Sequence, residues 1–329
     1  MASLVLAVVL FGYFLSRAHL ARVGHTLADV RLGWVGASLA AAIGTYVLRS
    51  LRWGLILRPV GRASASKLIG CTAAGFATST ILPARAGEVV RPLLLTARTG
   101  LPAAATLASI LTERLLDGAT VLVLFAAGVG FAPRAFNPAN LAVLRDAVIV
   151  TSAFLAGAVA LVWFLLRRRA ATVTRLTRLL PERFRTRAES FLNHLLDGLE
   201  VLRRPVRLAE IAAWSLALWL LIAFQLVLLA KAFAFSLTLA QTFVVIAVSV
   251  VGLAVPTPGG VGGFHAAIQF GLAQLVGVDV ASATAYALLH HAICFFPITA
   301  IGLAYLGSVG FSLGRVRALE QQVPSAGTP

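Results

Sequence analysis

The stretch Ile81-Leu82-Pro83-Ala84-Arg85-Ala86-Gly87-Glu88-Val89-Val90-Arg91-Pro92 decides how the chain is read. It lies inside a long apolar region, yet it carries two prolines, a glycine and three charges. A charge at the centre of a lipid-facing helix costs roughly 2.5–3.5 kcal/mol, so three would cost on the order of 8–10 kcal/mol. The stretch therefore belongs against protein or a water-filled cavity, where broken backbone is also tolerated. A second interruption lies far downstream, at Val255-Pro256-Thr257-Pro258-Gly259-Gly260-Val261-Gly262-Gly263-Phe264-His265.

The composition around these two breaks is that of a membrane protein. Of 329 residues 59% are hydrophobic and 12% charged, whereas a soluble domain carries about 25% charged residues. An all-α polytopic membrane protein follows, as a single integral membrane domain over residues 1–329. The net charge is +16, and the basic excess is almost all arginine, Lys67 and Lys231 being the only lysines. Arginines of this kind collect in cytoplasmic loops and set orientation. No nucleic-acid motif accompanies them, and nucleic acid is not expected as a partner. Cys71 and Cys294 sit in apolar runs and imply neither a disulfide framework nor a metal site. No cofactor is expected.

Taken in order, Ala2–Leu15 is a marginal first span and residues 16–31 an interfacial amphipathic segment. Gly33–Leu57 is a clear span. Its end carries Arg49, Arg52, Arg58 and Arg62, with Trp53 as an interfacial anchor, and that end is expected in the cytoplasm. Leu68–Leu82 and Glu88–Ala97 are each too short to cross comfortably and predict a re-entrant hairpin broken at Pro83. Pro102 opens a long helix to about Phe131. Residues 132–145 predict an outside loop, and Ala147–Leu166 a returning span. The segment 167–207 holds 11 arginines and predicts a basic cytoplasmic loop. Leu208–Ala230 crosses outward. Leu239–Ala254 and Phe264–Val276 form a second hairpin, entered from outside, and Val280–Phe311 crosses inward. The expectation is about six spans plus two re-entrant hairpins in the cytoplasmic membrane, with both termini cytoplasmic.

The halves 1–131 and 147–311 then share one order of elements in opposite orientation. Pro83 matches Pro258 and Gly87 matches Gly262 at an offset of 175, and Gly100 matches Gly277 at 177. Inverted repeats with broken helices are a transporter architecture, with the site near the midplane.

The candidate binding residues lie at the breaks and opposite them. Glu88 and Arg91 are spaced i, i+3 and share a face. They form either a capping pair or part of a site. Arg85, just before a helix N-terminus, suits an anion. Glu113, Arg114 and Asp117 lie roughly 17–22 Å into a membrane helix. They are either an interhelical lock or a functional cluster. Pro258, Gly259, Gly260, Gly262 and Gly263 offer a backbone nest suited to phosphate or, alternatively, a tight tip chosen for packing. His265 and His290 are packing histidines or proton carriers. The histidines and acids do not make a metal site. No Gly-Lys-Ser/Thr follows the glycines, so nucleotide binding is not indicated, and no catalytic set suggests a hydrolase.

Several of these runs resemble one family. They are Leu48-Arg49-Ser50-Leu51-Arg52-Trp53, Leu82 to Glu88, Arg91-Pro92, Glu113-Arg114-Leu115-Leu116-Asp117 and Pro256 to Gly263. Together they resemble the flippase-like family, also called the lysylphosphatidylglycerol synthase transmembrane-domain family. Members fused to an aminoacyl-transferase domain make and translocate aminoacylated phosphatidylglycerol. About 18 residues follow Phe311 here, so the resemblance implies the translocating part and not lysyl transfer. The leading expectation is a flippase for an anionic, phosphate-bearing membrane phospholipid or a polyprenyl-phosphate-linked lipid. The alternatives are a membrane enzyme acting on such lipids and a scaffold for a separate lipid synthase.

Overall fold

The computed structural model describes residues 2–16, 18–82, 86–136, 138–178 and 181–310. Those residues form thirteen α-helices and no strand. The helices are α1 (Ala2–Ser16), α2 (Leu20–Ala28), α3 (Leu32–Leu57), α4 (Ala65–Ile81), α5 (Gly87–Thr99), α6 (Ala103–Phe131) and α7 (Pro138–Arg167). They continue as α8 (Arg169–Arg178), α9 (Glu182–Leu199), α10 (Pro205–Ala232), α11 (Leu239–Ala254), α12 (Gly263–Phe270) and α13 (Val280–Ser308). A π turn, Gly271–Val276, extends α12. Helices α3, α6, α7, α10 and α13 are each long and apolar enough to cross a membrane. The sixth expected span, α1, lies against α12, and α2 turns away from it by 83°. The protein is thus an all-α, multi-pass membrane protein.

Local chemistry sets the helix ends. Gly100 (φ +75°) and Gly277 (φ +91°) close α5 and the π turn in left-handed conformation, which glycine adopts without Cβ strain. Thr238 and Gln241 form a reciprocal capping box on α11, and Asp279 caps α13 by accepting from the Ser282 N–H at 3.0 Å. Each satisfies backbone groups that the helix itself leaves open.

Three antiparallel helix pairs make the bundle. At the centre α3 packs on α10, joined near one end by Ser38 and Gln225 and near the other by Arg52 and Ser215. Helix α4 runs along α13, where Gly302 beds on the Ala73 carbonyl and Thr299 donates to Thr80 at 3.2 Å. Helix α6 runs along α11, with Gly128 against Ala240. The two hairpins, α4–α5 and α11–α12, close on glycine pairs. A Cβ on Gly87 would run into the Gly75 carbonyl oxygen, and one on Gly263 into that of Gly252.

Four sequence expectations change. Helix α7 starts at Pro138, so only residues 132–137 connect it to α6. The 167–207 segment is not a loop: α8 and α9 fill it, and Gly198 of α9 beds against Ala105 and Ala108 of α6. Trp53 is fully buried instead of anchoring at an interface. Arg49 and Arg52 do not mark a solvated helix end: both are buried, because carboxylates on a neighbouring helix receive them. The break residues Pro83, Ala84 and Arg85 lie outside the described residues, as do Phe311 and the chain beyond it.

Candidate functional site

Glu113 and Asp117 lie about 15 and 21 Å along α6 from its first residue, one turn apart on one face. Both are buried, Glu113 completely. A buried carboxylate needs charged partners, and four arginines from three helices supply them. From α3, Arg49 reaches Asp117 at 3.0 Å and Glu113 at 3.4 Å, and Arg52 reaches Asp117 at 2.7 Å. From α5, Arg91 bonds Glu113 at 3.0 Å, and from α6 itself Arg114 bonds Glu113 at 2.8 Å.

Neutral groups complete the cluster. The Trp219 indole of α10 donates to Asp117 at 3.0 Å, and Ser215 accepts from Arg52 at 2.8 Å. The Arg91 guanidinium lies over the Trp53 ring, 4.0 Å from its centre, while the Trp53 N–H donates to Ser109. A cation on an aromatic face gains electrostatic attraction, more so when both are out of water. Four guanidiniums against two carboxylates leave the cluster net positive. The Nε and Nη2 of Arg91 and the Nε of Arg114 are buried without a hydrogen-bond partner.

The cluster borders a cavity of about 280 Å³ between the two hairpins. Its walls include Arg49, Arg91, Arg114 and Asp117, with Glu88 from the start of α5. Gly259 and Gly260 of the second break close the other side. The second break approaches the end of α4 directly: a Cβ on Gly259 would sit 3.2 Å from the Thr80 methyl group. Arg114 keeps 35% of its side chain exposed, although it sits near the middle of a membrane-crossing helix.

Residues 1–302 match the family model described as Lysylphosphatidylglycerol synthase TM region. The chain belongs to that family. None of the curated proteins compared matches it. The family ties this multi-pass protein to membrane lipid.

Within this family member the remaining expected site residues fall into two groups. Glu88, Arg91, Arg114, Asp117, Gly259 and Gly260 line the cavity, and Glu113 lies behind them as the buried anchor for Arg91 and Arg114. The others do not reach it. Pro258 opens the short turn Pro258–Gly260. Gly262 (φ +86°) packs against Leu10 and Phe11 of α1, and Gly263 packs on Gly252. The N–H groups of Gly260, Val261 and Gly262 are already donated to Thr257 O, Pro258 O and His265 Nδ1. At those three positions the backbone therefore makes a packed tip and not an open nest. His265 lies tilted against His291 with ring centres 4.4 Å apart, and His290 bonds Gln225 at 3.0 Å. Arg85 lies outside the described residues. Among the described residues no group of three His, Cys, Asp or Glu side chains is placed to hold a metal.

Sequence reasoning missed Arg49, Arg52, Ser215 and Trp219 as members of the cluster. One signal was available. Arg49 and Arg52 are spaced i, i+3 and still have a turn of α3 beyond them, so they share a face inside the span. Ser215 and Trp219, at i, i+4 on an apolar helix, carry a weaker version of the same signal.

Proposed function

We propose that the protein carries an anionic lipid headgroup across the membrane through the cavity between the hairpins. The observation behind this reading is a net-positive wall, formed by Arg49, Arg91 and Arg114, in a cavity that both broken helices border. Phosphate would take charge-assisted bonds from the partly exposed Arg114 and from the unpaired N–H groups of Arg91, while Glu88 would meet an amine where the headgroup carries one. The lipid tails stay in the bilayer. The substrate is a membrane phospholipid, including aminoacylated forms, or a polyprenyl-phosphate-linked lipid, supplied by a separate lipid synthase. Both carboxylates of α6 are held by several arginines, which leaves neither free as a general base, so the reading is a transporter and not an enzyme.

The helix contacts support reading the two halves as an inverted repeat, which fits this function. Exchanging α3 with α10, α4 with α11, α5 with α12 and α6 with α13 carries the contacts among these eight helices onto one another, the α3–α10 pair onto itself. Gly75 and Gly252, which close the two hairpins, are 177 positions apart, as are the capping Gly100 and Gly277. The packing pairs Gly87 with Gly263 in place of Gly262. The repeats differ in chemistry. Where the first half sets Arg49 against Asp117 between α3 and α6, the second sets Gln225 against His290 between α10 and α13. The charge is concentrated in one repeat, and alternating access would rock one repeat against the other around it. The arginine-rich α8–α9 side is assigned to the cytoplasm by the positive-inside rule.

The experiment is reconstitution into proteoliposomes with headgroup-labelled lipids, followed by chemical quenching of the outer leaflet. Faster exchange of labelled phosphatidylglycerol than of phosphatidylcholine supports the reading, and its loss in Arg114→Ala assigns it to this cavity. Equal rates with and without protein, across neutral, anionic and aminoacylated lipids, would refute it.

A further inference from the structure

A second cavity lies on the opposite face of α6. It is a groove of about 550 Å³ between α6, α7 and the start of α10. Leu116 and Ala119 of α6, Val159 and Trp163 of α7 and Leu208 of α10 make an apolar wall. Its charges, Arg167 and Arg203, come from the last residue of α7 and the short turn before α10.

The groove exists because α7 is loosely held. Among its described side chains only Leu144 and Leu166 are buried, one near each end. Between them the helix presents Phe154, Leu161 and Phe164 outward, as a lipid-facing helix does. Residues 147–166 carry no charge and span about 30 Å, the thickness of the hydrocarbon core. Arg167 therefore sits at headgroup level. Its guanidinium lies 4.8 Å from the centre of the Trp163 ring, an aromatic–cation pairing suited to that depth. Arg203 shares Glu200 at 3.5 Å but keeps half of its side chain exposed.

We infer that this groove holds an anionic phospholipid, its phosphate on Arg167 and Arg203 and one acyl chain along the apolar wall. A basic pocket between membrane helices on the arginine-rich side has the chemistry for an anionic headgroup, and the apolar wall opens towards bilayer. The site is separate from the central cavity. Arg114, Asp117 and Gly118 face that cavity, while Leu115, Leu116 and Ala119 face the groove. A lipid here braces α6 from behind, on the helix that carries Glu113, Arg114 and Asp117.

The test uses the full chain in nanodiscs of phosphatidylcholine with a rising fraction of phosphatidylglycerol, one of the two lipids carrying brominated acyl chains. Quenching of Trp163 is read as the difference between the wild type and Trp163→Phe. The expected result is half-quenching at a phosphatidylglycerol fraction at least about fivefold below that needed of phosphatidylcholine, about fivefold being what one surface arginine contributes. Arg167→Gln with Arg203→Gln should bring the two curves together. Ala119→Trp, which fills the groove and keeps both arginines, should also abolish the preference. Superimposed curves in the wild type overturn the inference. So does a Trp163 quenched by neither lipid, the outcome if a second copy of the chain covers the groove. The readout is binding and needs no translocation, so a failure of the transport reading leaves it intact.

Discussion

Asp117 ties three helices together, since Arg49 and Arg52 of α3 and Trp219 of α10 all end on it. Removing a buried carboxylate leaves its partners buried without an acceptor, which costs about 3–5 kcal/mol. Asp117→Ala is therefore expected to lower Tm strongly in detergent, with Arg49 and Arg52 the charges left uncompensated. Arg114 stands differently, because a third of its side chain already meets the cavity. Arg114→Ala is expected to abolish lipid exchange in proteoliposomes while lowering Tm much less than Asp117→Ala. Equal Tm losses in the two variants would make the whole cluster a structural lock.

At the scale of elements, both hairpins depend on glycine where two backbones touch. Gly87 leaves no room for a side chain against the Gly75 carbonyl. Gly87→Val should splay α4 from α5, at the roughly 1–3 kcal/mol typical of overpacking. A lower Tm with far-ultraviolet circular dichroism unchanged would show that packing, and not helix content, is lost. Gly259 acts otherwise: its φ of +59° is left-handed and it lines the cavity. An L side chain there costs roughly 1–2 kcal/mol, so Gly259→Ala should slow lipid exchange as well as lower Tm. The helix boundaries were largely legible in the sequence, because proline, glycine and capping residues act locally. The 167–207 segment was not, because its helices are amphipathic and arginine-rich, and their docking on α6 is a tertiary event.

At the scale of the molecule, the end of α4 lies against α13 through Thr80 and Thr299, whose hydroxyl oxygens are 3.2 Å apart. If lipid passage needs the repeats to move, locking this contact should stop it. Thr80→Cys with Thr299→Cys, in a background lacking Cys71 and Cys294, is expected to cross-link and to block exchange until reduced. Exchange unchanged by a complete cross-link would show that α4 and α13 do not part during transport. Orientation is tested by labelling: cysteines at positions 134 and 175 should react from opposite faces of the membrane, with 175 on the cytoplasmic side.

Local composition was enough to read the membrane class, the run of spans and hairpins, and the two breaks between half-helices. Those follow from hydrophobic run length and from prolines and glycines acting on their neighbours. It also marked Glu113, Arg114 and Asp117 as a group that must be paired, either as an interhelical lock or as a site, because charge inside a membrane span is costly; that Arg91 joins them was not legible. Only the tertiary structure decided what faces what. It turned Arg49 and Arg52 from a helix end into partners of Asp117, made Trp53 a platform for Arg91, and moved Gly262, Gly263, His265 and His290 out of the cavity. Helical periodicity gives each residue a face, but which face meets which neighbour depends on contacts between segments more than a hundred residues apart, and no local pattern records them.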